Sequence, residues 1–435
     1  LTYPAARNRR RRGPSYGGGS GGSGVCSGAS PALLHLDPVA NRYYTRTDGQ
    51  IGVTSHPFAD LLTFTGPAGR TYVNAAGRIV TAGLNVPRIE NYIDTGSGLF
   101  NAGQLFESEA RTNLIIRSEE FDLWGGGGAV TVTTNTHISP DGNMTADTLT
   151  SGGGSTDFLI RSGVASDGQV KSMYARTVSG TGTVAILGHN SVGAALTTLT
   201  EEWQRFDLPV DTAETGGTNF YAVDFRAGDL TEIVVWGAQL ETGENPSSYI
   251  ETEAAAVTLA GETMQIDPAV LQAALGVTMP AALSGAMSTY ITYADLNAAN
   301  QVTIYDHRAD ANNRMTVTLS TDGASTGLFT LTMVNGGVSA SVSAPVQIMP
   351  GTNVAANVAW YADAAGINIA VNGSAATEVA TAIGLPNLIG ADVDLATDFN
   401  GSILHTTITA DNLEVAGIQD ATTTGSGFNP LCPFD

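Results

Sequence analysis

From Leu33 onward the chain is a succession of short apolar and Thr-rich runs punctuated by Gly, Asn-Gly and Asp-Gly. Thr131-Val132-Thr133, Thr183-Val184-Ala185-Ile186-Leu187 and Thr231-Glu232-Ile233-Val234-Val235-Trp236 have the composition of half-buried strands. So do Arg314-Met315-Thr316-Val317-Thr318-Leu319 and Ile367-Asn368-Ile369-Ala370-Val371. In the last run Ile367, Ile369 and Val371 share one face and Asn368 and Ala370 the other, because side chains alternate along a strand. Asp48-Gly49, Asp141-Gly142, Asp322-Gly323 and Asn372-Gly373 supply turns between such strands. Helix signals are few. Asp267 reads as an N-cap with Pro268 at the first helical position, opening a short helix to Leu275, and a second short helix is expected over Asp411 to Ile418. Many short strands with regular turns predict an all-β fold of tandem antiparallel β-sandwiches behind an irregular N-terminal arm.

Composition sets the expected boundaries. Residues 1–36 form a basic, Gly-rich arm whose Gly17–Gly24 stretch (GGGSGGSG) has the composition of a flexible linker. Residues 37–109 read as strand-poor. A first sandwich is expected over 110–253 and, after Ala254-Ala255-Ala256, a second over 261–435.

Charge then divides the chain. Residues 1–36 carry Arg7, Arg9, Arg10, Arg11 and Arg12 and no acid, so that of a total of -22 the remaining residues hold -27. An anionic body repels phosphate backbones, so nucleic acid is disfavoured as a partner, and any such role could rest only on the arm. No run of about 18 apolar residues occurs, which argues against membrane insertion, and no apolar segment follows the Arg cluster, which argues against a secretory signal. Cys26 and Cys432 lie too far apart in sequence for a disulfide framework or zinc-ligand spacing, and read first as two unpaired thiols and second as a terminal or inter-subunit bridge.

Formal motif matches carry little. Gly19-x-Gly21-x-x-Gly24 and Gly18-x-Ser20-x-Gly22 fit dinucleotide and nucleophile-elbow patterns but lack the strand and helix that those patterns require. Asp392-x-Asp394-x-x-x-Asp398 gathers hard oxygen ligands; it reads first as a solvated acidic loop, with a Ca²⁺ site as the alternative and no other cofactor expected. The six His show no paired zinc spacing. Two acidic stretches bear on glycoside hydrolysis, Glu251-x-Glu253 at a domain edge and Asp306-His307-Arg308-Ala309-Asp310, which reads equally as a polar turn. Of the four Trp, Trp236 and Trp360 sit in strand-like runs and read as core, whereas Trp124, followed by Gly125–Gly128, is the candidate exposed platform for stacking a sugar.

Three stretches resemble a family of bacteriophage and prophage tail or minor virion structural proteins. The first is Leu62-Thr63-Phe64-Thr65, Thr71-Tyr72-Val73-Asn74-Ala75-Ala76-Gly77-Arg78-Ile79 and Asn85-Val86-Pro87-Arg88. The second is Glu109-Ala110-Arg111-Thr112-Asn113-Leu114-Ile115 with Ser118-Glu119-Glu120-Phe121 and Trp124. The third is Trp236-Gly237-Ala238-Gln239-Leu240-Glu241 with Ser247-Ser248-Tyr249-Ile250 and Thr252, where Glu251 stands in place of the family's usual Pro. The second and third bracket a jelly roll like those of carbohydrate-binding modules. The C-terminal part resembles a concanavalin-like, laminin-G-type sandwich through Val371-Asn372-Gly373, Leu388-Ile389-Gly390, Phe399-Asn400-Gly401 and the run from Ile408 to Ile418.

The resemblance implies an architecture and a virion setting and supplies no catalytic residue. The expectation is therefore a non-enzymatic virion fibre, spike or tail protein, assembled in the host cytoplasm and exposed on the particle. Its arm would dock on acidic surfaces of other virion proteins, its sandwiches would bind host surface polysaccharide, and homotrimers would supply avidity. The rival expectations are a capsule polysaccharide depolymerase and a purely architectural decorating protein.

Overall fold

A computed structural model describes residues 32–50, 52–94, 98–188, 196–210, 218–243, 245–276, 278–293, 302–320, 327–348 and 351–423. The Arg7 to Arg12 cluster, the linker, Cys26, Cys432, His189 and the Asp322-Gly323 turn lie outside them. The chain is all-β, its sheets antiparallel, and divides into two compact units. Unit 1 comprises Pro67–Gly83 and Ala110–Ala260; unit 2 includes the described residues up to Gly66, Leu84–Glu109, and those from Gly261 on.

Unit 1 is a sandwich of two five-stranded sheets. One runs in the order Gly125–Gly127, Phe158–Arg161, Phe220–Gly228, Gly182–Ala185, Leu196–Leu199. The other runs Thr131–His137, Ala146–Thr150, Glu232–Thr242, Gln169–Arg176, Gln204–Pro209. Between them the inward positions meet: Leu159, Val184, Phe220 and Val223 from the first, Leu149, Met173, Ile233 and Val235 from the second. Removing this apolar surface from water is the main term holding the two sheets together.

In unit 2 a seven-stranded sheet, Val338–Gln347 at one edge and Leu62–Thr65 at the other, packs on a larger sheet centred on Ala282–Tyr293, Gly351–Asp363 and Asn400–Thr409. Ile367, Ile369 and Val371 point into that core, as alternation requires, but Asn368 and Ala370 are buried too. The reason is the C-terminal helix Glu414–Thr422, which packs Leu413 and Ile418 on the opposite face against Ala286, Ala359, Tyr361 and Ala370. The helix Pro268–Leu275 starts where Asp267 accepts a hydrogen bond from the Ala269 N–H, a side-chain N-cap with Pro at the first position. Asn372 and Gly373, at φ of 49° and 86°, close the tight hairpin that pairs Val371 with Ser374.

Two sequence boundaries need correction. Leu33 to Leu36, the end of the expected arm, form with Asp37 an inner strand paired on both sides, with Leu34 and Leu36 in the unit 2 core. Residues 37–109 are not strand-poor: they contribute strands Arg42–Arg46, Leu62–Thr65, Arg88–Asp94 and Gly98–Glu107 to unit 2 and the hairpin Thr71–Val73/Ile79–Thr81 to unit 1. Short, Gly-interrupted runs hide such strands, because their register is set by distant partners rather than by local pattern.

Candidate functional site

The motif residues of unit 1 form a clamp. Asn113, fully buried, donates from Nδ2 to the Ala238 and Ile250 carbonyls at 3.1 and 2.7 Å, and its Oδ1 accepts from the Leu240 and Ile115 N–H groups. Gln239 Oε1 accepts from Ile250 N–H, and Glu241 accepts from Ser247 N–H and Oγ–H. Gly237 sits at φ 65°, where an added Cβ would press on the rings of Tyr174 and Tyr249 at 3.3 Å. The Ser118 and Tyr249 hydroxyls are 2.8 Å apart, and Tyr249 donates to Glu119 at 2.8 Å. Burial pushes the Glu119 carboxyl up to about 7, with Glu251 and Asp141 adding smaller repulsions.

The first motif supplies a cover. In the hairpin 71–81, Asn74 Oδ1 accepts from the Ala76 and Arg78 N–H groups and Gly77 turns at φ 73°. Val73 and Ile79 then pack on Ala146, Val234, Trp236 and Tyr249, covering that part of the outer face of the second sheet. In unit 2, Arg88 of the same motif is buried and bonds both oxygens of Glu262, at 2.9 and 2.7 Å, and Glu107 at 3.0 Å. These residues therefore hold each fold together.

The outer face of the first sheet carries a different chemistry. Cross-strand pairing lines up Phe158, Asp224, Ala185 and Leu196 in one row, with Ile160 opposite Tyr221 beside it. A bulge between the Leu159 and Ile160 pairings lets Phe220, Ala222, Val223 and Phe225 face the core while Tyr221, Asp224 and Arg226 face outward. Arg226 bonds Asp224 twice, Nε to Oδ1 at 2.7 Å and Nη2 to Oδ2 at 2.6 Å. Its guanidinium carbon lies 4.5 Å from the centre of the Phe158 ring and 6.0 Å from that of Tyr221, and the two rings are 5.6 Å apart. The Asp224 bond, with help from Tyr221, raises the Arg226 pKa, so the guanidinium stays charged. Phe158 leans over Gly127 in the edge strand, where an added Cβ would come within 2.4 Å of the ring. Phe158, Ile160 and Arg226 stay partly exposed, and Leu196 is 45% exposed.

The sequence-derived candidates fall elsewhere. Trp124 is 7% exposed: the short 3₁₀ turn Phe121–Leu123 swings it inward onto Phe121 and Phe220, and its Nε1 donates to the Arg117 carbonyl. Its ring is core and offers no stacking platform; the exposed neighbour is Leu123. Asp392 and Asp394 lie in the strand Asp392–Thr397, not in a loop, opposite Arg308 and Asp306, and Asp394 accepts from Gln265. Among the described residues no three His, Cys, Asp or Glu side chains gather, so the structure does not bring Asp392, Asp394 and Asp398 together. Asp306-His307-Arg308 belongs to the strand Val302–Asp310 rather than a turn; His307 is buried and Arg308 pairs with Asp306. Glu251 and Glu253 are exposed in a segment without strand structure. Trp236 and Trp360 are buried. Tyr221, Asp224 and Arg226 carry no regular spacing in the sequence, because the bulge that aligns them is set by pairing with Phe158–Arg161.

No family model matches the chain, and no curated protein matches it. Among solved structures it is similar to the CBM40 of the Ruminococcus gnavus IT-sialidase bound to α2,3-sialyllactose, at 17% identity over 33% of this chain and 83% of that one, with a TM-score of 0.28. It is also similar to domain 4 of AbnA, a GH43 extracellular arabinanase from Geobacillus stearothermophilus, in complex with arabinotriose. There the identity is 13%, the cover 42% of this chain and 84% of that one, and the TM-score 0.28. At such scores nothing about this chain's ligand follows from either likeness.

Proposed function

We propose that this chain is a non-enzymatic virion fibre, spike or tail protein that binds host surface glycan through the outer face of the first sheet of unit 1. The observation that carries the glycan reading is the Phe158–Asp224–Arg226 cluster. A sugar presents apolar C–H patches and a rim of hydroxyls, and this face sets an aromatic ring beside a charged donor–acceptor pair locked in one geometry. On the other outer face of the same sandwich the 71–81 hairpin covers Ala146, Val234, Trp236 and Tyr249, whereas among the described residues of this face Phe158, Ile160, Leu196 and Arg226 keep exposed surface. The virion setting rests on the sequence resemblance and on the division between a cationic arm and an anionic body. Weak single sites on symmetric copies would gain strength from avidity.

A glycan array probed with multivalent full-length protein tests the binding. Phe158→Ala should weaken every positive signal by about tenfold; an array blank at high protein concentration would sink the glycan reading and leave the architectural one. Deleting residues 1–30 should stop incorporation into particles while both units still fold. Normal incorporation of the truncated chain would refute anchoring by Arg7 and Arg9 to Arg12.

A further inference from the structure

We propose that Asp224 sets the specificity of this face, fitting it to neutral sugars and against carboxylated ones. The inference rests on the glycan-binding reading above and adds the chemical class of the ligand.

A free arginine on an aromatic ring is a carboxylate receptor, because its planar fork offers parallel N–H donors to both carboxylate oxygens. Here the fork edge made by Nε and Nη2 is already filled by Asp224, which also accepts from the Arg226 backbone N–H at 3.1 Å. The Asp224 side chain is only 6% exposed and that of Arg226 21%. A ligand carboxylate that displaced Asp224 would leave a buried carboxylate without its partner, which costs more than the new pair returns. A sugar hydroxyl has no such conflict. It can accept from Nη1 of the partly exposed Arg226, which Asp224 does not engage, and leaves the Asp224–Arg226 pair in place.

No second cation on the face, among the described residues, changes this balance. Arg161 stands on a neighbouring strand, but its guanidinium lies near the Trp124 ring and reaches the Leu123 carbonyl. Lys171, the chain's sole lysine, is buried, and its Nζ donates to the Gly188 and Asn219 carbonyls. Residues 37–435 together carry -27, which opposes the approach of an anionic polymer to the protein as a whole.

The test compares full-length protein binding to matched pairs of oligosaccharides that share linkage and length, one neutral and one bearing uronate carboxylates. Wild type should bind the neutral member at least about tenfold more tightly. In Asp224→Asn, which keeps the size and an acceptor oxygen, the carboxylated-to-neutral affinity ratio should rise by about tenfold. Wild-type preference for the carboxylated member, or a ratio unmoved in a folded Asp224→Asn, would overturn the proposal while leaving glycan binding intact. Absence of binding to every oligosaccharide would instead overturn the reading on which it rests. Should the variant fail to fold, the salt dependence of wild-type binding decides: neutral recognition should hold from low salt to about 0.5 M, and a steep loss would overturn it.

Discussion

The Tyr249 hydroxyl stands between Ser118 and Glu119, 2.8 Å from each, and ties the start of the unit 1 sandwich to its end. Because burial raises the Glu119 carboxyl to about 7, from an unfolded value of 4.5, the folded unit holds a proton there that the unfolded chain releases. The stability this group contributes is complete below about pH 4.5 and is lost as pH rises through 7. Glu119→Gln keeps an acceptor for Tyr249 and has nothing to ionise. It should match wild type near pH 4 and melt higher at pH 8, by an amount on the order of 2 kcal/mol. Thermal melts across pH check this; parallel curves for the two proteins would contradict it.

Two imidazoles in unit 2, the buried His35 and the half-buried His405, act with the opposite sign. Burial, then His405 and Arg42, lowers His35 to about 3, and burial lowers His405 to about 4. Both are neutral when folded and take up protons when unfolded, so their contribution is present above pH 6.5 and is lost as pH falls toward 3 to 4. His35→Asn with His405→Gln retains partners for Thr407 and Ser288. The double variant should unfold at lower pH than wild type in an acid titration followed by circular dichroism.

Asn113 satisfies four backbone groups from one side chain. Asn113→Ala leaves two buried N–H groups and two carbonyls without that partner, and should cost unit 1 about 3 kcal/mol or more. Three of the four Trp lie in this unit, so tryptophan fluorescence in a urea titration reports mainly its unfolding. A midpoint unchanged from wild type would show that the clamp is dispensable.

Gly127 is the seat of the Phe158 ring. Gly127→Val should push the ring off its position, destabilise unit 1 by about 1–3 kcal/mol and weaken glycan binding. In a Phe158→Ala background the same change should cost much less, since the clash is with the ring; additive penalties in this double-mutant cycle would exclude that cause.

Much of the fold was legible locally. The helix at Pro268–Leu275 follows from one cap and one proline, and the hairpin at Asn372-Gly373 from a dipeptide that tolerates positive φ. The second helix lies at Glu414–Thr422, displaced from the expected Asp411 to Ile418, because Leu413 and Ile418 are placed by the sheet beneath them. Trp124 shows where local reading fails. Four glycines after a Trp suggest a loop, yet the first three form an edge strand, and the 3₁₀ turn before them buries the ring.

By itself, then, the sequence determined the all-β class, the turns at Asp48-Gly49, Asp141-Gly142 and Asn372-Gly373, and the separation in charge between residues 1–36 and the rest of the chain. Those are properties of composition and of side-chain spacing over a few residues. Only the tertiary structure decided which faces are covered. Residues 67–83 join unit 1 and strand Thr263–Ile266 pairs with Leu62–Thr65 across long stretches of chain, and register shifts in Phe220–Gly228 set Asp224 and Arg226 beside Phe158. Pairing register and the packing of one element over another are non-local, so no window of sequence contains them.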